Sequence, residues 1–402
     1  MSAPFDITVV GAGPAGIAAA VTAVESGARV LLIDDNPRPG GQIWRGDWNS
    51  GREGDWLNRL AASHVQLETS TAAIDERILD KGRKLILATG ARELFLPFPG
   101  WTLPGVTGVG GLQALIKGGF DVANKRIVLA GSGPLLLACA SLAREKGASV
   151  MLVAEQSDSA HLRGFTASLW RHPGKLIEGA RLGLSLLGSA YKTNCWVESA
   201  QGREHVESVQ LRHAGRTWQE RSVLLATGFG LVPNTELAAL LGCHVEDGAV
   251  HVGDWQQTSR PSIYAAGELT GIGGVDKSIV EGRIAALAAT GREAEARTLF
   301  SDRTTWREFA AGLLRTFAPR PEVLSLAAAN TPICRCEDIP LSEVAAHGNW
   351  RDLKLATRCG MGFCQGRICG SITRALYGYG PNSPRPPAVP APIQALLEER
   401  EL

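Results

Sequence analysis

No stretch of the 402-residue sequence is apolar for long enough to cross a bilayer as a helix. Residues 1–6 show neither the basic segment nor the apolar core of a secretory leader. Neither sign of charge is in excess: 41 Lys and Arg stand against 40 Asp and Glu, a formal net charge of +1. That balance gives no pointer to nucleic acid or to an anionic membrane as the main partner. Cysteine is sparse over most of the chain. Cys139, Cys195 and Cys243 are scattered, and the other five of the eight crowd between Cys334 and Cys369. These features make the expected setting the cytoplasm, at most peripheral to the inner membrane, with thiols gathered for a metal rather than for disulfides.

What is abundant is glycine, at 47 residues, beside an apolar content of 45%. The length calls for two or three domains. The chain opens as strand (7–10), glycine turn, helix (15–26) and strand (29–33), closed by Asp34. Residues 37–58, rich in Gly, Pro and Trp, read mostly as loop. A second unit of the same kind begins at Arg126, with a strand over 127–130, a helix over 135–146 and a return strand over 149–154 that ends at Glu155. A helix is expected over about 277–289. Residues 292–330 read as helical, and 381–392 as an extended proline-rich tail packed on a surface or a partner.

The first turn, Gly11-Ala-Gly13-Pro14-Ala15-Gly16, lies between strand and helix, the context that gives this pattern meaning. Gly11 allows the tight turn, Gly13 lets backbone approach a pyrophosphate at the helix N-terminus, and Gly16 lets helix and strand pack closely. Asp34 is placed to accept from ribose hydroxyls. Asp35 is the alternative, although strand alternation points it the other way. Four further features agree: Pro39-Gly40-Gly41-Gln42, Ala88-Thr89-Gly90, Ala226-Thr227-Gly228 and Ala265-Ala266-Gly267-Glu268. In this order they resemble flavoproteins with two dinucleotide-binding domains, which implies FAD. In that family an aspartate at the position of Glu268 contacts the ribityl and phosphate region. The glutamate here is one methylene longer.

The second turn, Gly131-Ser-Gly133-Pro-Leu-Leu136, has lost its third glycine. Leu136 is expected to push helix from strand or to fill the space a nucleotide would approach, which argues against hydride exchange with a nicotinamide. Glu155 could still meet a ribose. No redox-active cysteine pair lies beside the flavin motifs. Cys139 reads as a buried inert thiol, and the neighbours Cys243 and His244 read as an incidental pair rather than a reactive thiol.

Cys334-Arg-Cys336 is followed by Cys359-Gly-Met-Gly-Phe-Cys364-Gln-Gly-Arg-Ile-Cys369. Thiolates at this density suit zinc or iron–sulfur. The C-x-C and C-x4-C spacings differ from zinc knuckles, and four thiolates suffice for a [2Fe–2S] cluster. Glycines 360, 362, 366 and 370 let backbone N–H groups reach the sulfurs. The block 331–370 resembles the bacterioferritin-associated-ferredoxin-like [2Fe–2S] domain. That resemblance implies Cys334, Cys336, Cys364 and Cys369 as ligands and Cys359 as a spectator, while exchange of Cys359 for a neighbour and a structural zinc stay open.

Residues 5–370 together resemble the α subunits of heteromeric dye-linked amine dehydrogenases, a group with opine oxidases, hydrogen cyanide synthase and hydroxyproline or proline dehydrogenases. The residues that carry this are 39–44 (PGGQIW), 88–93 (ATGARE), 96–105 (LPFPGWTLPG), 131–136 (GSGPLL) and 267–274 (GELTGIGG). The segment between Trp56 and Lys84 is short for the group. The resemblance implies an α/β fold: two Rossmann-like domains of the disulfide-reductase type plus a small helical [2Fe–2S] domain. The expected boundaries are 1–118 with 229–292 for FAD, 119–228 for the second nucleotide-type domain, 293–330 for a helical connector, and 331–402 for the cluster domain and tail. It also implies a D-amino-acid-oxidase-like β subunit carrying its own FAD and the substrate chemistry. A respiratory electron acceptor, an FMN at the subunit interface and a small [2Fe–2S] γ subunit belong to the same picture. No general base or substrate-binding Arg clamp stands out beside the flavin motifs, so no catalytic residue is assigned. Two other readings are a self-sufficient NAD(P)H-dependent FAD reductase feeding its cluster, and a non-catalytic redox-sensing or assembly module.

Overall fold

The computed structural model describes residues 4–45, 51–186, 188, 190–381 and 384–397. They form two compact units, one drawn from 1–92, 232–311 and 382–402, the other from 93–231 and 312–381. Among the described residues no helix is long and apolar enough to cross a membrane.

The first unit is built on a five-stranded parallel sheet. Its order is Ile263–Ala265, Gly82–Leu87, Phe5–Val10, Val30–Ile33, Gln66–Glu68. Val30–Ile33 is buried at all four positions, the unbroken apolar run of a strand covered on both faces. Helix Pro14–Glu25 follows the first strand, with Pro14 in its first turn. Its alanines keep the helix surface low, so Gly274–Ala289 lies directly against it: a Cβ at Gly282 would fall 2.2 Å from the Ala15 carbonyl oxygen. The stretch read as loop contains a helix, Gly51–Ala62; residues 46–50 of that stretch lie outside the described residues. Leu57 and Leu60, three apart, are buried in the core under it, each contributing about 1.5–3 kcal/mol. Between this helix and strand Gly82–Leu87 there are only the three-residue strand Gln66–Glu68 and the 3-10 turn Glu76–Asp80. The tail returns to this unit, where Ala388 is buried and donates its N–H to the Ile74 carbonyl at 2.7 Å.

The second unit repeats the plan with a parallel sheet in the order Val106–Gly108, Leu224–Gly228, Arg126–Gly131, Ser149–Glu155, Ala190–Lys192. An antiparallel sheet of Cys195–Gln201, Ser208–His213 and Arg216–Arg221 lies beside it. The cysteine-rich segment does not hang apart from this unit. Ile333, Cys334, Val344, Leu353, Cys359, Cys369 and Ile372 share one hydrophobic core with Val128, Ala130, Leu152 and Val197 of the sheets. Trp101 adds a hydrogen bond from Nε1 to the Pro332 carbonyl at 2.7 Å. Residues 292–330 are helical over Glu293–Thr298, Phe300–Thr316 and Pro321–Leu324.

Candidate functional site

In the first unit, strand Phe5–Val10 runs into Gly11, whose φ of +102° is a glycine conformation. Both this glycine and Gly16 are forced by contact as well: Cβ atoms there would lie 2.3 Å from the Ala88 oxygen and 1.7 Å from the Gly11 oxygen. Gly13 precedes the helix and offers it no side-chain cap, so the first-turn N–H groups are left for an anion. The open side of Gly13 meets only the Cα of Gly41, 3.9 Å from where a Cβ would be. The loop that carries Gly41 is held by the Gly40 N–H on the Ala12 carbonyl at 2.7 Å and by buried Trp44.

Asp34 is 6% exposed. It accepts from the Ala12 N–H inside the turn and from Asn36 N and Nδ2 at 2.7 and 2.8 Å. Asp35 is exposed and accepts from Asn36 Nδ2 at 2.8 Å, as strand alternation requires. Ala88 continues the sheet through its N–H to the Val10 carbonyl at 2.8 Å. The Thr89 hydroxyl is directed to the Asn234 carbonyl at 2.8 Å, and a Cβ on Gly90 would meet nothing within 4 Å. Gly267, at φ +82°, closes the floor with its would-be Cβ 2.7 Å from the Ala15 Cβ. The turn, Pro14, Ala15, Asp34, Gly41, Ala88 and Gly267 are thus brought together; Gln42 and Asp35 lie on the exposed rim.

Glu268 does not reach into the open cradle. Its carboxylate folds onto the start of the neighbouring helix and accepts from the N–H groups of Gly273 at 3.0 Å and Gly274 at 2.7 Å. Burial raises its pKa, with Lys277 opposing. The extra methylene is what lets the oxygens turn back that far. Behind this loop is a network that the sequence reading missed. Lys277 Nζ donates to Glu281 at 2.8 Å and to the carbonyls of Gly267 at 3.0 Å and Gly271 at 2.9 Å. Glu281, fully buried, also accepts from the Gly267 N–H at 3.1 Å and from Arg307 at 3.1 Å. The visible signal was a Lys and a Glu four apart on a helix that is mostly small and apolar. Open glycine backbone, an uncapped helix N-terminus and an acid at the adjacent strand end suit the phosphates and ribose of a flavin dinucleotide.

The second unit's turn is of the same shape and differently filled. A Cβ at Gly131 would lie 1.8 Å from the Gly228 oxygen. Leu136, 1% exposed, points into the core with Val109, Cys139 and Val153, so it fills space under the helix. Glu155 is 1% exposed and accepts from Gly133 N at 2.8 Å, Ser157 N at 2.9 Å and Ser132 Oγ at 2.9 Å. Burial raises its pKa against those bonds. Cys139 is fully buried, which pushes its thiol up to about 12. Cys243 is buried too and raised by the same cause; neither is a nucleophile at neutral pH.

The five clustered cysteines converge in the second unit. The Sγ atoms of Cys334, Cys359 and Cys369 all lie within 4.8 Å of one another, and Cys364 is in hydrogen-bond reach of Cys369 and of Cys336. The thiols of Cys359 and then Cys369 donate to Cys334, which is held at about 2. Cys369 first, against the opposing effect of burial, brings Cys364 down to about 5. Donation to Cys334 pushes Cys359 up to about 12 and raises Cys369. Backbone N–H groups of Gly360 and Glu337 serve Cys334, and those of Ile368 and Gly366 serve Cys364. Several thiol sulfurs gathered at this range, with backbone N–H groups beside them, form a soft donor set that fits an iron–sulfur cluster. The structure places Cys359 with two expected ligands and leaves Cys336 at the exposed mouth.

The family model described as pyridine nucleotide-disulphide oxidoreductase matches residues 5–292. An opine oxidase subunit of Rhizobium meliloti (strain 1021) is 34% identical, with 92% of each chain covered. Hydrogen cyanide synthase subunit HcnB of Pseudomonas aeruginosa is 31% identical over 96% of this chain and 97% of its own. Among solved structures, L-proline dehydrogenase from P. horikoshii superposes with a TM-score of 0.70 at 18% identity, covering 98% of this chain and 79% of that one, a likeness of fold.

Proposed function

The chain belongs to the pyridine nucleotide-disulphide oxidoreductase family and is an FAD-dependent oxidoreductase; from there we propose that it is the electron-transferring flavin and iron–sulfur subunit of a heteromeric dehydrogenase or oxidase. The bond oxidised is the C–N bond of a secondary amine, opine or amino acid, on a partner subunit resembling D-amino-acid oxidase. The observation that carries this reading is the five-thiol pocket, present in a chain that also holds a flavin-type cradle. When bound, a flavin would supply two-electron exchange and a [2Fe–2S] cluster one-electron exchange, the two capacities needed to pass a hydride equivalent on as single electrons.

This chain's own residues supply the setting. The first-turn N–H groups of Pro14–Glu25 would face the pyrophosphate, and Asp34 would accept from ribose hydroxyls while its Ala12 bond holds it in place. Lys277 and Glu281 hold the loop of Gly267 and Glu268 in one conformation. Cys334, Cys336, Cys364 and Cys369 would hold the cluster, with Ile333, Val344, Leu353 and Ile372 keeping water from its inner face. The relatives described above are named as subunits of opine oxidase and of hydrogen cyanide synthase, which supports a multi-subunit enzyme.

The test is co-expression with a D-amino-acid-oxidase-like partner, copurification, and analysis for FAD, iron and labile sulfide. Anaerobic addition of opines or proline should bleach the flavin of the complex and reduce its cluster, while the chain alone stays oxidised. Rapid bleaching of the chain alone by NADH would overturn the reading in favour of a self-sufficient reductase.

A further inference from the structure

The two glycine turns differ in what lies over them. Above Gly13 the nearest foreign atom is the Cα of a glycine. Above Gly133 it is the ring of Phe317, 3.8 Å from where a Cβ would be. Phe317 packs edge-on against Phe165 with ring centroids 5.4 Å apart. From there the backbone runs along the end of strand Ser149–Glu155, fastened at each step. Ser157 Oγ donates to the Thr316 carbonyl at 3.0 Å, and Gln156 Nε2 to the Ala318 carbonyl at 3.0 Å. Gln156 Oε1 accepts the Arg320 N–H at 3.0 Å, and the Arg320 guanidinium donates to the Gln156 carbonyl at 3.2 Å and to Asn194 Oδ1 while lying 4.7 Å over the Trp196 ring.

In a fold of this kind the pyrophosphate lies over the middle glycine of the turn, and the ribose beside the acid that ends the next strand. Residues 316–320 cover both places. We propose that this segment is an internal occupant of the second nucleotide site: it takes the position of the phosphates and ribose of an adenine dinucleotide and so keeps NAD(P)H from binding there. The turn retains its first two glycines, the helix of twelve residues and the acid that a nucleotide would use, with Leu136 turned into the core beneath the helix. What closes it is a strap from the connector, which ends the helix Phe300–Thr316 over the site. This deepens the reading above, because it removes the competing source of electrons.

The experiment is calorimetric titration of the FAD-loaded full chain with NADH, NADPH and ADP. Phe317→Ala uncovers the turn, and Gln156→Ala with Ser157→Ala releases the strap without touching the ring. FAD absorbance checks folding in both, so a failure of one variant to fold leaves the other. The wild-type chain should give no saturable binding. The opened variants should bind all three probes saturably, and adding Glu155→Gln should abolish that binding. Equal binding by wild type and variants overturns the proposal, and so does binding by none, since the strap would then exclude nothing. Because the readout is heat of binding rather than flavin reduction, its outcome is separable from that of the co-expression test.

Discussion

Lys277 and Glu281 are the residues whose loss should be felt most widely. Their side chains are 4% and 0% exposed, and together they bind both ends of the Gly267–Gly271 loop. Lys277→Met leaves Glu281 buried without the ammonium that donates to it at 2.8 Å, and such a break costs about 3–5 kcal/mol. Urea unfolding should show the loss in its midpoint, and a change below about 1 kcal/mol would remove the network from its assigned role. Gly16→Ala is the second test, since its methyl would meet the Gly11 carbonyl. Overpacking of this kind costs about 1–3 kcal/mol, and the purified variant should lose most of its bound FAD; full flavin occupancy would show that the turn tolerates a wider gap. Glu155 gives a pH signature. Burial raises its folded pKa above the unfolded value, so its contribution is complete at pH below the ordinary carboxylate range and declines as pH rises through the raised value. Glu155→Gln should flatten stability against pH over that window, and an unchanged curve would assign the dependence to other groups.

At the scale of elements, the glycine turns and the strands beside them are legible in the sequence because glycine spacing and a closing acid are local signals. The helix Gly51–Ala62 is not. Its glycine, aspartate and tryptophan content masks the spacing of Trp56, Leu57 and Leu60, which only the core beneath it makes decisive. The cysteine segment is legible as a gathering of thiols, but spacing alone does not reveal which of them meet. Cys359 lies with Cys334 and Cys369 because Trp350–Thr357 ends at Arg358 in the left-handed conformation and turns the chain inward. With the ligand set proposed above, Cys334→Ser and Cys369→Ser should each lower iron and labile sulfide per chain severalfold. Cys359→Ser should retain both with an altered visible spectrum. Loss of iron from Cys359→Ser equal to that from Cys334→Ser would make it a ligand.

For the whole molecule, the α/β plan of two parallel sheets and the family follow from short motifs in the right order. What those motifs do not convey depends on residues far apart in sequence. The strap at 316–320 meets Gln156, a separation that no periodicity reports. Glu268 is a local case of a different kind: its position predicts a cofactor contact, while the Gly273 and Gly274 amides five and six residues on draw it to a helix end. Shortening it in Glu268→Asp should withdraw it from those amides and tighten FAD retention during dialysis. Faster release of flavin would instead make the longer side chain the better partner.

The core shared by the cysteine segment and the sheets of the second unit bears on how such a protein can change over generations. A module with its own interior can be cut out, duplicated or exchanged between genes. This one shares its interior, because Val128, Ala130, Leu152 and Val197 of the neighbouring sheets belong to the same hydrophobic core as Ile333, Cys334, Cys359 and Cys369. A crossover at its border would strip apolar side chains on both sides at once. Substitutions on either side of that shared core are therefore expected to need matching changes on the other.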